Sequence, residues 1–305
     1  MRIFLKIALG FSFLFSSFAF INTANALDIV FAEDRPDLRT LDPRITQSRH
    51  EEMLIVNMFD QLISADSSGN IYPGLATSWD ISSDGLEYTF SLRDDVTFHD
   101  GTKFDAAAVK ATFDSIVDPE TGSQGAVDIL GPYKETIVVD DFTAKVVFER
   151  RYGSAITAFT ETELSIVSPT ALDKLGNEGF GMAPVGTGPF MFKNWEANKK
   201  VELVRNPDYN WAPEYMDGSG PSQVENLTYR LIKDTSTRVA ALEAGEVDIA
   251  ELVPPLDMRR FDSSGDLSTV TGTVSGLPYS AFLNTTTGVF QDVNVRKAFC
   301  FLSIN

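Results

Sequence analysis

Side chains able to do acid–base, nucleophilic or metal chemistry are few in this 305-residue chain: two histidines, His50 and His99, and one cysteine, Cys300. A hydrolytic triad needs a nucleophile, a base in hydrogen-bond reach and a group that orients the base. The sequence has no Gly-x-Ser-x-Gly elbow, and His99 leads into Asp100-Gly101, a turn, while His50 falls in the first turn of an expected helix. His50-Glu51-Glu52 suggests metal ligation, but adjacent helical residues diverge by ~100° and face different ways. Asp140-Asp141 is a carboxylate pair between two β-rich runs, where aspartate serves a solvated turn. Gly186-Thr187-Gly188-Pro189 has the glycines of a phosphate loop, yet Pro189 removes an amide donor and no lysine follows. The expectation is a protein with no catalytic residues, no metal and no cofactor.

The elements carrying these residues are most legible between Gly74 and Asp114. Trp79 and Ile81, the turn Asp84-Gly85, then Tyr88, Phe90 and Leu92 against polar neighbours have the period of two of a half-buried hairpin. Val96 and Phe98 lead to a second turn at Asp100-Gly101, and Asp105 is placed to cap a helix bearing Ala106, Val109, Phe113 and Ile116, stopped by Pro119. Upstream, Asp28 to Ala32 reads as a buried strand, and Ser48 with Glu51 three residues on forms a capping box before Leu54, Met58, Phe59 and Leu62. Downstream, 136–139 and 144–148 read as a hairpin, and Ser168-Pro169 opens a helix that Gly176 closes. Strands are expected around Phe190, Val201, Val224 to Ile232 and Val247 to Ile249, with a helix from Asp234 ended by Gly245. Ser280 to Asn284 reads as a further strand, and Asp292 is placed to cap a last helix bearing Val295, Phe299 and Leu302.

At the amino end, Arg2 and Lys6 precede an apolar run from Ile7 to Ile21, and Ala24-Asn25-Ala26 is a small-x-small cleavage pattern. The run is shorter than the ~20 apolar residues of a bilayer crossing, so a cleaved Sec signal over 1–26 is expected, with no cysteine after it for a lipid anchor. A net charge of −18 argues against nucleic acid and anionic membrane as partners, since both require a cationic face. One cysteine excludes an intrachain disulfide despite an oxidising destination.

Three ordered runs carry a resemblance: GLATSW with DG-x-x-YTF-x-LRDDV-x-FHDG and FDAAAVKATFD; DTSTRVAALEAGEVDIAEL; and FLNT through DVNVRKAF. In these the chain resembles the periplasmic solute-binding proteins of the peptide, dipeptide and nickel ABC importers. The resemblance implies a class II periplasmic binding-protein fold of the α/β class. Its discontinuous first lobe would comprise 27–55 and 185–272 with 56–184 inserted, and 273–305 would begin a second lobe that is mostly missing. It implies a monomer that captures peptides or similar small solutes in the periplasm and delivers them to an inner-membrane ABC permease. The loop at Ile45 to Ser48 would approach the ligand backbone, making Thr46 and Gln47 candidate contacts, with Asn284 a third. Thr46 to Ser48 serve equally as the lead into a capped helix.

Phe299 to Asn305 departs from the continuation the resemblance implies, so a truncated product is expected, with weak or no peptide binding of its own. Two other readings stand beside it: an interaction module engaging a permease or sensor without ligand, and a secreted hydrolase whose turnover His99→Ala would abolish.

Overall fold

The computed structural model describes residues 27–302 except 36–37, 217, 266 and 273–282. The expected signal over 1–26, and most of the strand expected over Ser280 to Asn284, lie outside the described residues. The chain divides into two compact units, Met1–Pro254 and Pro255–Asn305.

The first unit opens with β1 (Leu27–Glu33) and α1 (Arg49–Ile55), then the short pair β2 (Ile63–Ala65) and β3 (Ile71–Pro73). It continues with β4 (Ala76–Ile81), β5 (Glu87–Leu92), α2 (Ala106–Val117), α3 (Gly125–Leu130), β6 (Tyr133–Asp140) and β7 (Thr143–Phe148). After α4 (Ala155–Ala158) and α5 (Pro169–Met182) come β8 (Phe190–Glu196), β9 (Lys200–Arg205), β10 (Val224–Leu231), α6 (Thr235–Glu243) and β11 (Ile249–Ala250).

Two sheets result. One is antiparallel, in the order β4-β5-β7-β6. Its β4-β5 hairpin turns at Gly85, whose φ of +70° lies in the left-handed region open to glycine. Tyr88, Phe90 and Leu92 all point into the core, and complete burial of each contributes roughly 2–3 kcal/mol. There they meet Phe113, Phe148 and Phe159. Asp105 caps α2 as its spacing requires, its Oδ1 accepting from the Ala108 N–H at 2.9 Å.

The other sheet, β11-β1-β10-β9-β8, is mixed: β1 runs parallel to both β10 and β11, whereas β9 and β8 return antiparallel. It draws its strands from 27–33 and 190–250, and the four-stranded sheet from 76–148. Burial along β1 deepens toward its carboxyl end, from exposed Leu27 and Asp28 to Ala32 and Glu33 at 0 %.

Three local expectations differ from the structure. Ser48 occupies the cap position of α1 but makes no side-chain capping bond, and the Glu51 carboxylate accepts instead from the Arg39 N–H and the Thr46 hydroxyl, so no capping box forms. Gly176, at φ +66°, kinks α5 without ending it, and helix resumes to Met182. The strand near Val247 shortens to Ile249–Ala250.

The second unit contains α7 (Pro255–Ser264) and α8 (Val293–Leu302). Asp292 precedes α8, and its Oδ1 accepts from the Asn294 N–H at 2.7 Å.

Candidate functional site

In an open sheet with parallel strands, ligands settle outside the carboxyl ends of those strands, where loops diverge and leave a crevice. Here that edge is set by the register of three strands. Phe31 pairs with Ile249 and Ala32 with Ala250 on one side, while Glu33 pairs with Leu231 on the other. Glu33-Asp34-Arg35, Ile232 to Asp234 and Glu251 are thereby brought to one end of the sheet from positions some two hundred residues apart in sequence.

The groups gathered there are charged and unusually well buried. Glu33 and Arg35, at 0 % and 1 % exposure, form an ion pair. Burial pushes the Glu33 carboxyl from 4.5 up to about 8, against the opposing pull of Arg35. The Arg35 pKa is lowered by the same desolvation. The Arg35 guanidinium donates to the His50 carbonyl at 2.9 Å and lies 5.9 Å from the Tyr229 ring centre. Tyr229 is itself pushed up to about 12, first by burial and then by Glu33, and its hydroxyl accepts from the Asn57 amide at 3.0 Å.

Arg238, 1 % exposed on α6, ties the edge together. Its Nη1 donates to the Ile232 carbonyl at 2.6 Å and its Nε to the Glu251 carbonyl at 2.9 Å, with Nη2 3.6 Å from the Asp34 carboxylate. The Asp34 N–H donates to Glu251 Oε1 at 2.7 Å. The Asp34 side chain, 37 % exposed, is thus an accessible end of a partly buried charge network, and it can meet a cationic or hydrogen-bond-donating group from solution.

Thr46 is 1 % exposed and donates its hydroxyl to Glu51 Oε2 at 2.8 Å. Gln47 is exposed, its amide donating to Gln124 Oε1 at 2.7 Å. Asn284 belongs to the second unit, exposed, with Oδ1 accepting from the Thr286 N–H and hydroxyl. Thr46 and Gln47 therefore share one loop of the first unit. Glu33, Asp34, Arg35 and Arg238 escaped sequence reasoning; for the first three the available signal was a cluster of charges directly after a predicted strand, and for Arg238 there was none. His99 is enclosed: its Nδ1 accepts from the Gly186 N–H and its Nε2 donates to the Gly188 carbonyl. Among the described residues no group of three or more His, Cys, Asp or Glu could hold a metal ion.

Residues 70–301 match the bacterial extracellular solute-binding proteins, family 5 (middle region), and the chain belongs to that family. It is 29% identical over 283 residues to the glutathione-binding protein GsiB of Salmonella paratyphi A, an alignment covering 93% of this chain and 53% of the relative. Among solved structures, it superposes on the periplasmic binding protein DppA of Helicobacter pylori in complex with the peptide STSA (TM-score 0.66, 28% identity, 77% of this chain and 48% of that one). NikZ of Campylobacter jejuni, in complex with Ni(L-His), superposes with TM-score 0.66 and 26% identity over 77% of this chain and 45% of that one. The fold is a partial class II periplasmic binding-protein fold, and the chain spans about half the length of the curated relatives it matches. Members of this family are binding proteins rather than enzymes. Among the described residues no helix is long and apolar enough to cross a membrane.

Proposed function

We propose that this chain supplies one ligand-facing surface of an extracytoplasmic solute-binding component, which captures a peptide or similar small solute for an inner-membrane ABC permease. The observation carrying this reading is the convergence of Asp34, Glu251 and Arg238 at the carboxyl ends of three parallel strands, with one carboxylate left accessible. The loop holding Thr46 and Gln47 lies between β1 and α1, and both residues are proposed ligand contacts; Asn284, in the second unit, is proposed as a further one. The 27–55 and 185–272 segments form the main subdomain around this edge, and 56–184 the inserted one. The protein acts as a monomer in the periplasm after removal of residues 1–26, and performs no catalysis.

Binding of this kind is differential contact: two surfaces close on a ligand because it touches more in the closed state than in the open one. On this surface alone an affinity near ~1 mM is expected for glutathione or a dipeptide. Backbone-amide NMR titration with glutathione and with Ala-Ala tests this. Shifts confined to residues near 33–35, 46–48, 249–251 and 284 support the reading. Shifts elsewhere, or none at about 20 mM ligand, twenty times the expected dissociation constant, refute it.

A further inference from the structure

The loop that carries Thr46 and Gln47 is fastened to the segment 56–184 both at its base and at its tip. At the base, the buried Arg44 guanidinium donates through Nη1 to the Ser115 hydroxyl of α2 at 3.0 Å and through Nη2 to Asn177 Oδ1 of α5 at 3.1 Å. Within the loop, the Thr46 N–H donates to the Asp42 carbonyl at 3.1 Å and the Thr46 hydroxyl to Glu51 at 2.8 Å, so both groups are committed inside the first unit. At the tip, Gln47 Nε2 donates to Gln124 Oε1 at 2.7 Å, a bond between residues 77 positions apart in sequence.

Gln124 stands at the amino-terminal cap position of α3, yet its side chain makes no capping bond there. Glutamine is not among the side chains favoured for that role, and its length lets it reach a neighbouring loop instead. The two loops touch where the bond forms: a Cβ added at Gly125 would sit 3.6 Å from the Thr46 carbonyl oxygen. Both glutamines are exposed. An exposed glutamine without a partner samples many rotamers, and fixing such a side chain when a ligand arrives costs affinity. A bond already made in the free chain removes that cost. It uses one of the two Nε2 protons, so the Gln47 amide keeps one donor and its carbonyl oxygen for a peptide group of the ligand.

We propose that Gln124 is a positioning residue for ligand capture: it holds the Gln47 amide in the orientation that meets a peptide group, and does not touch the ligand itself. This rests on the reading of Gln47 as a ligand contact. Ala-Ala, which carries no net charge, is titrated to about 50 mM into the full chain and its variants, and backbone and side-chain amides are followed by NMR. Gln124→Met keeps the length of the side chain and removes the acceptor. It is expected to move the Gln47 side-chain amide resonances of the free chain and to weaken binding roughly two- to tenfold, the cost of ordering one long side chain. Gln124→Glu restores an acceptor at the same reach, and its affinity is expected within about twofold of the parent. Both substitutions are at an exposed position that makes no capping bond, so the thermal midpoint is expected to stay within about a degree. Combining Gln47→Ala with Gln124→Met is expected to give the affinity of Gln47→Ala alone, because no amide is left to position. Parent affinity in Gln124→Met, no rescue by Gln124→Glu, or additive losses in the double variant overturns the proposal. If Gln47→Ala binds as the parent does while shifts at the strand ends persist, the positioning role falls and the peptide-binding reading stands; if the parent shows no shifts at the strand ends, both fall.

Discussion

Replacing Arg238 with alanine removes the clasp that holds three strand ends together, and its cost can be built from the contacts. Two short bonds, to the Ile232 carbonyl at 2.6 Å and the Glu251 carbonyl at 2.9 Å, have a charged donor, and bonds of that kind contribute about 1.5 kcal/mol or more each. The longer contacts, 3.4 Å to the Lys233 carbonyl and 3.6 Å to Asp34, add at most a few tenths. The buried aliphatic stem adds roughly 1–2 kcal/mol, since the side chain is 1 % exposed. The sum is about 4–5 kcal/mol, a large share of the ~5–15 kcal/mol by which a domain is stable. Urea denaturation of the first unit's transition measures it, and hydrogen exchange locates it, with protection expected to fall first at 232–234 and 249–251. Arg238→Lys keeps the charge but offers a point donor in place of a fork, and is expected to recover less than half of the loss. A loss below about 1 kcal/mol for Arg238→Ala would show that the strand ends are held by something else.

Titration of two buried groups gives opposite slopes of stability against pH. His99 is held down to about 4 from 6.5 by burial, so the unfolded chain takes up the proton first, and stability is complete above pH 6.5 and falls as the pH drops toward 4, by up to about 3 kcal/mol. Glu33 is held up at about 8 from 4.5, so its contribution is complete below pH 4.5 and is lost as the pH rises toward 8. Urea midpoints from pH 4 to 8 are expected to keep only the falling limb in His99→Gln and only the rising limb in Glu33→Gln. Gly186→Ala is expected to destabilise by several kcal/mol, because the added Cβ would sit 2.1 Å from the Met58 carbonyl oxygen and 2.5 Å from the Phe59 ring, and a thermal midpoint within a degree of the parent would contradict this. Asp105→Ala removes the α2 cap and is expected to cost about 1 kcal/mol, with Asp105→Asn recovering most of it in the same assay.

Features governed by near neighbours were legible in the sequence, because their physics is local. The turn at Gly85, the inward Tyr88, Phe90 and Leu92, and the Asp105 cap depend on residues within a few positions of one another. Order along the chain also carried the family, since three separate runs had to occur in sequence. Glu51 shows where local rules fail: its spacing from Ser48 matches a capping box, but the loop from Arg39 to Thr46 folds back and takes its carboxylate. The strand-end network was beyond sequence reasoning for a related reason. Asp34, Arg238 and Glu251 meet only because β1 is inserted between β10 and β11, and Glu33, Arg35 and Arg238, which look solvated along the chain, are buried at that edge. The same holds for Asp60, whose donors come from Thr187, Tyr209 and Trp211, far along the chain. Spacing determined the elements; the burial of charge at the strand ends came from parallel strand pairing across some two hundred residues, which no local pattern encodes.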